Sequence, residues 1–175
     1  MRWIIKHGDI LDEPADVLIC SANVFLNLSG GVGGAILLRY GRSMQDELHR
    51  FLTDRQRAHA ELGDVVMTSP CDTPYRAVLH AVAVDGFYRS SPEVISRVVT
   101  RSLQLAASQG AQRVALTALA TGFGRLSFGQ FAAGIKPLLI QAFPPIDEVV
   151  VCLRSDHDRQ ELTSLLRDED RKTLP

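Results

Sequence analysis

Six stretches of the chain are largely apolar, and each is bounded by glycine, proline or charge. Val17-Leu18-Ile19-Cys20, inside a strand expected over Asp16 to Ala22, is the clearest of them. A continuous run of this kind predicts a strand covered on both faces rather than one with a wet side. Trp3-Ile4-Ile5, Asp64 to Thr68, Ala77 to Val84, Val114 to Leu116 and Glu148 to Leu153 complete the set of expected strands. Gly8 closes the first, Gly63 opens the second and Pro70 ends it.

Between these runs the apolar period changes to that of a helix. Helices are expected from about Val32 to Tyr40, stopped at Gly41, and from Ser43, with Asp46 completing a capping pair and Met44, Leu48, Phe51 and Leu52 on one side. Ser91 followed by Pro92 predicts a helix start, with Ile95, Val98, Val99 and Ala106 facing inward and Gly110 as a left-handed stop after Gln109. Two more follow, from about Phe128 to Gln141 and from a cap at Asp156 to Leu166. Strands and helices alternate, so the pattern predicts an α/β sheet with helices on both faces.

Residues 1–167 read as a single domain, and the charged tail 168–175, short of apolar anchors, is expected to fray. With 46% hydrophobic and 22% charged residues, the 175-residue chain is globular in character and long enough to bury a core. The net charge of −1 gives no strong nucleic-acid signal, so an anion site has to be local. Cys20, Cys71 and Cys152 are few, odd in number and far apart, with neither metal-ligand nor disulfide spacing. The polar break after Ile5 argues against a signal peptide, and no apolar run approaches membrane-spanning length, so a reducing cytoplasmic setting is expected.

Two loops carry the candidate chemistry. The first, Ala22 to Gly34, follows the buried strand and contains four glycines in five positions, Gly30, Gly31, Gly33 and Gly34. The second, Ala118-Leu119-Ala120-Thr121-Gly122-Phe123-Gly124-Arg125, also follows a strand and precedes a helix. Glycine lets backbone N–H groups approach an anion closely, and a helix N-terminus adds free donors and positive potential. At the carboxyl ends of parallel strands two such loops can converge on one ligand. Neither loop is followed by Gly-Lys-Ser/Thr, and neither completes the dinucleotide fingerprint, since Ile36 stands at the third glycine of the first. Kinase, GTPase and dehydrogenase readings therefore fit poorly.

Gly8-Asp9-Ile10, Ala15 through Asn23, Ser29-Gly30-Gly31-Val32 with Ala35-Ile36, Leu62 through Val66, Val78 through Val82 and Ala118 through Gly124 occur in this order. This ordered set resembles the macrodomain family from about Gly8 to Leu153. The resemblance implies a three-layer α/β/α fold with a mixed central sheet and a cleft for ADP-ribose or an ADP-ribosylated macromolecule, with no cofactor. It implies that Asp9 accepts from the adenine amino group, as an acceptor-only carboxylate suits, and that Ile10 walls the base. Asn23 is implied at the distal ribose hydroxyls. Ser29, Gly30, Gly31 and Val32 would wrap the distal ribose and diphosphate, and Ala120, Thr121, Gly122, Phe123 and Gly124 the opposite side. Ser29 stands where the family commonly has glycine. Arg154 follows the last strand, where some members place an aromatic residue beside the adenine; a guanidinium there either stacks on the base or faces solvent.

The chemistry stays open between binding and hydrolysis. In the hydrolytic MacroD-type branch an aspartate directly follows the valine of the glycine run, and this chain has Gly33. An ADP-ribosyl hydrolase or O-acetyl-ADP-ribose deacetylase would then rely on a water positioned by Asn23 and a substrate phosphate. A scaffold whose pocket takes another nucleotide, or none, is the third reading. His80, among apolar neighbours, is expected to be a core histidine, His7 a surface one and Cys71 an unactivated thiol.

Overall fold

The computed structural model describes residues 1–167; the tail expected to fray, 168–175, lies outside the described residues. Six strands form one sheet: β1 (Arg2–His7), β2 (Val17–Asn23), β3 (Val65–Thr68), β4 (Ala77–Val84), β5 (Arg113–Thr117) and β6 (Glu148–Leu153). Their spatial order is β1-β6-β5-β2-β4-β3. Every pairing is parallel except that of the edge strand β3, which runs antiparallel to β4, so the sheet is mixed.

Five helices cover the sheet: α1 (Gly31–Tyr40), α2 (Ser43–Asp54), α3 (Pro92–Ser108), α4 (Phe128–Leu139) and α5 (Asp156–Arg167). The pleat of β2 divides the core. Val17 and Ile19 point into a cluster with α3, α4 and α5, which supply Val98, Phe131 and Leu162. Leu18 and Cys20 point the other way, into a cluster with Ile36 of α1 and Met44 and Leu48 of α2. Both faces of β2 are dry, which is why its sequence does not alternate. The result is three layers, α/β/α.

Local signals explain most helix ends. The Ser91 hydroxyl accepts from the Val94 N–H at the start of α3, and Gly110 adopts φ 70° just beyond its end. Two expectations need correction. Ser43 is the first residue of α2 and not its cap; Arg42 holds that place with no side-chain hydrogen bond. Phe51 does lie with Met44, Leu48 and Leu52, half-buried against their cluster, and the Arg55 guanidinium lies 3.8 Å over its ring. Asp156 is the first residue of α5, and the Ser155 hydroxyl caps it, accepting from the Asp158 N–H at 3.0 Å. Serine wins there because its short side chain reaches back to the third N–H, whereas Asp156 bonds Arg159 at 2.6 Å on the helix surface. Among the described residues no helix is long and apolar enough to cross a membrane.

The loop after β2 leads to α1 on one face, and the loop after β5 leads to α4 on the other. Since β2 and β5 are neighbours, these loops diverge at their shared carboxyl ends and leave a crevice between them.

Candidate functional site

A cavity of about 640 Å³ occupies that crevice. Its walls come from both glycine-containing loops, from the turn after β4 and from the ends of β1 and β6. Every residue assigned to ligand binding from the sequence lines it except Asp9, whose chain neighbours Gly8 and Ile10 both do.

The first wall is a helix start without a cap. Gly30 precedes α1 in extended backbone and offers no side-chain acceptor, so among the described residues the N–H groups of Gly31, Val32 and Gly33, which line the cavity, have no protein acceptor. α3, α4 and α5 instead begin at serine caps. Gly31 takes φ 54°, which swings the chain into the helix.

Opposite stands the second loop. Ala120 is held at φ 62°, its carbonyl accepting from Leu126 N–H at 3.0 Å, and the Thr121 hydroxyl donates to the Ala118 carbonyl at 2.8 Å. The N–H groups of Gly122, Phe123 and Gly124 have no protein acceptor among the described residues. Gly124 has no space for a side chain, because a Cβ there would fall 2.5 Å from the Ala120 carbonyl oxygen and 2.7 Å from Val84. Phe123 is 70% exposed, yet its ring lies across the crevice on Gly30, where a Cβ would come within 2.6 Å of it. The aromatic ring thus touches both loops.

At the end of β2 the register with β4 shifts between Ala22 and Asn23, and this irregularity turns Asn23 toward the cavity. Its Oδ1 accepts from Phe25 N–H at 2.9 Å and Asn27 N–H at 3.4 Å, and its Nδ2 donates to the Asn27 carbonyl at 3.3 Å. The carboxamide is therefore a turn device for the loop, with one amide hydrogen left over. Asn27, itself at the cavity, is bonded by Nε2 of His49 on α2 at 3.0 Å.

At the far end, Asp9 caps a single 3-10 turn, Ile10–Asp12, its Oδ1 accepting from Leu11 N–H at 3.0 Å. Its other oxygen is 3.9 Å from Nη2 of Arg154, and the carboxylate is 41% exposed. The Arg154 carbonyl accepts from Nε2 of His7 at 3.1 Å. Cys152 lines this end; burial pushes its thiol up to about 11, and it donates to the Gly8 carbonyl at 3.3 Å. A thiol so placed stays protonated and is not a nucleophile at neutral pH.

His80 is fully buried in β4, with Nε2 3.2 Å from the Thr68 hydroxyl and Nδ1 3.6 Å from the Cys20 sulfur. Burial holds it down at about 4, so it is a neutral core histidine. Cys71 contacts Glu47 at 3.5 Å, a carboxylate neighbour that does not activate a thiol. Gly33 backs against Leu28, where a Cβ would lie 3.2 Å from the Leu28 Cα. Among the described residues no group of His, Cys, Asp or Glu has the geometry of a metal site.

Sequence reasoning missed Tyr88, Asn27 and Cys152 at the cavity. Tyr88 had one signal, an aromatic pair Phe87-Tyr88 in an otherwise polar turn, and it takes φ 60° there. The other two reach the cavity through loop curvature and strand register, which no local pattern encodes.

The chain and its fold have known counterparts. A family model, Macro domain, matches residues 19–134. The macro domain-containing protein in the sno 5' region of Streptomyces nogalater is 33% identical over 155 residues, 87% of this chain and 85% of its own. An O-acetyl-ADP-ribose deacetylase from Enterobacter cloacae is 32% identical over 120 residues, covering 67% of this chain and 66% of its own. Among solved structures, the Oceanobacillus iheyensis macrodomain with ADP superposes with a TM-score of 0.83 at 23% identity, covering 96% of this chain and 91% of that one. Family model, relatives and topology agree, and the chain belongs to the macrodomain family.

Proposed function

We propose that this protein binds ADP-ribose, free or attached to a macromolecule, in the crevice between its two glycine-containing loops. The observation that carries the reading is the pairing of unshared N–H donors. The uncapped start of α1 and the free backbone of Gly122, Phe123 and Gly124 face one cavity from opposite sides. Such an arrangement supplies the local positive field that a chain of net charge −1 otherwise lacks. A diphosphate between the loops puts the two ends of the ligand where the resemblance assigns them, with the base toward Asp9, Ile10 and Arg154 and the distal ribose toward Asn23, Ser29 and Val32. Solved macrodomains that bind ADP or ADP-ribose lend further support.

Relatives named as deacetylases favour hydrolysis as a second reading, with Asn23 and a substrate phosphate orienting water. The neighbourhood of Gly33 weighs against it. The aspartate of the hydrolytic branch is missing, and Leu28, only 4% exposed, fills the space beside that position. Binding without turnover is the reading we adopt.

Calorimetric titration of ADP-ribose tests it. The wild type is expected to bind with micromolar or tighter affinity, and Asp9→Ala to lose about tenfold, the value of one charge-assisted hydrogen bond. No heat and no thermal shift in the folded wild type would refute it. Incubation with an ADP-ribosylated protein is expected to leave the modification in place; release of ADP-ribose would establish the hydrolytic reading instead.

A further inference from the structure

The base end of the cavity rests on a turn whose inner side is held by a distant tyrosine. The Ile10 carbonyl accepts from Glu13 N–H at 3.1 Å and also from the hydroxyl of Tyr75. The same hydroxyl is 3.3 Å from the Glu13 carbonyl, so it spans the turn from one end to the other. Tyr75 is 2% exposed and arrives from the segment between β3 and β4. That segment is itself fixed: Thr73 N–H and Oγ1 both donate to the Pro70 carbonyl, at 3.0 and 2.6 Å, and Arg76 N–H donates to the Asp16 carbonyl at 2.8 Å.

From this geometry we infer that Tyr75 is a positioning residue for base selection: its hydroxyl locks the Ile10–Leu11 peptide with the carbonyl inward, and so fixes the Leu11 N–H that holds the Asp9 carboxylate on the other side of the turn. The inference rests on the reading that Asp9 and Ile10 meet the base. A carbonyl with two donors is fully committed, and one with a single donor lets a short 3-10 turn rotate. The outer groups of the turn then lose their fixed aim, while the diphosphate loops, anchored elsewhere, keep theirs. Burial drives the phenol well above its ordinary value, so the hydroxyl remains a donor throughout the working pH range.

The test compares two ligands that differ only at the base. ADP offers an amino group to an acceptor carboxylate; inosine diphosphate offers a carbonyl, which Asp9 cannot bind. Affinities for both are measured calorimetrically on wild type and Tyr75→Phe, with melting temperature recorded alongside. The wild type is expected to prefer ADP. Tyr75→Phe keeps the ring in the core and is expected to weaken ADP about threefold to tenfold, with a smaller loss for inosine diphosphate, so that the preference shrinks. A tyrosine that only fills the core would move the melting temperature and leave the preference intact; that result overturns the inference while the ADP-ribose reading stands. A wild type that binds neither nucleotide overturns both. Should Tyr75→Phe fail to fold, a ring-fluorinated tyrosine at the same position alters the donor strength without removing it, and an unchanged preference there overturns the inference equally.

Discussion

At the scale of single residues, the site depends on contacts that admit no extra atom. The backbone of Ala120 faces Gly124 directly, and backbone cannot swing aside as a long side chain does. Gly124→Ala is therefore expected to reshape the second loop and cost about tenfold or more in ADP-ribose affinity by calorimetry, and to lower the melting temperature as well, because the Ala120 and Val84 atoms it meets belong to the core. Gly33→Asp meets Leu28 less severely, its Cβ 3.2 Å from the Leu28 Cα, and is expected to add no ADP-ribose release from a modified protein. His80 gives a pH signature. Its value is about 4 in the folded chain and 6.5 as a free side chain. Below the higher value the unfolded chain takes up a proton that the folded chain refuses, so stability present at neutral pH is lost as pH falls from 6.5 toward 4. That loss amounts to up to about 3 kcal/mol, readable as a fall in urea midpoint that His80→Gln removes.

Elements reveal how far local sequence carries. Ser91-Pro92, the dry run of β2 and both glycine loops were legible because each signal lies within a few residues of its effect. The capping box at α4 was present in the letters, yet it went unread. The Ser127 hydroxyl accepts from Gln130 N–H at 3.2 Å, and Oε1 of Gln130 accepts from Ser127 N–H at 3.1 Å. Because this cap stands where the second loop becomes helix, Ser127→Ala is expected to lower stability by about 1 kcal/mol in denaturant titration. Asp156 misled because serine and aspartate are both good caps and sit side by side; hydrogen-bond geometry, not residue type, chose Ser155. Tyr75 had no local signal at all, since its partner Ile10 is 65 positions away.

For the whole molecule, the alternation of strand and helix was enough to announce three layers, while strand order and the antiparallel edge came from pairings invisible in the chain. One long-range feature ties the layers' ends. Glu13, buried at the base of the 3-10 turn, is paired with Lys6 at 2.5 Å and Arg113 at 2.8 Å, and Arg113 also reaches Glu148, which Arg2 covers from outside. These charges join β1, β5 and β6 to the turn below the cavity, and they hold the Glu13 carboxyl below the usual carboxylate range despite its burial. Arg113→Ala leaves two buried carboxylates short of a partner and is expected to destabilise the fold by about 3 kcal/mol in chemical denaturation.

The two cores on either side of the sheet have a mechanical consequence. α1 is rooted in one and α4 in the other, and the ring of Phe123 already reaches from the second loop to Gly30 of the first. A ligand that grips both loops acts as a rivet across the carboxyl ends of the central strands, coupling helices that pack on opposite faces of the sheet. Amide exchange should accordingly slow in α1 and α4 together on saturation, and a ligand fragment that reaches one loop alone should quiet only its own side.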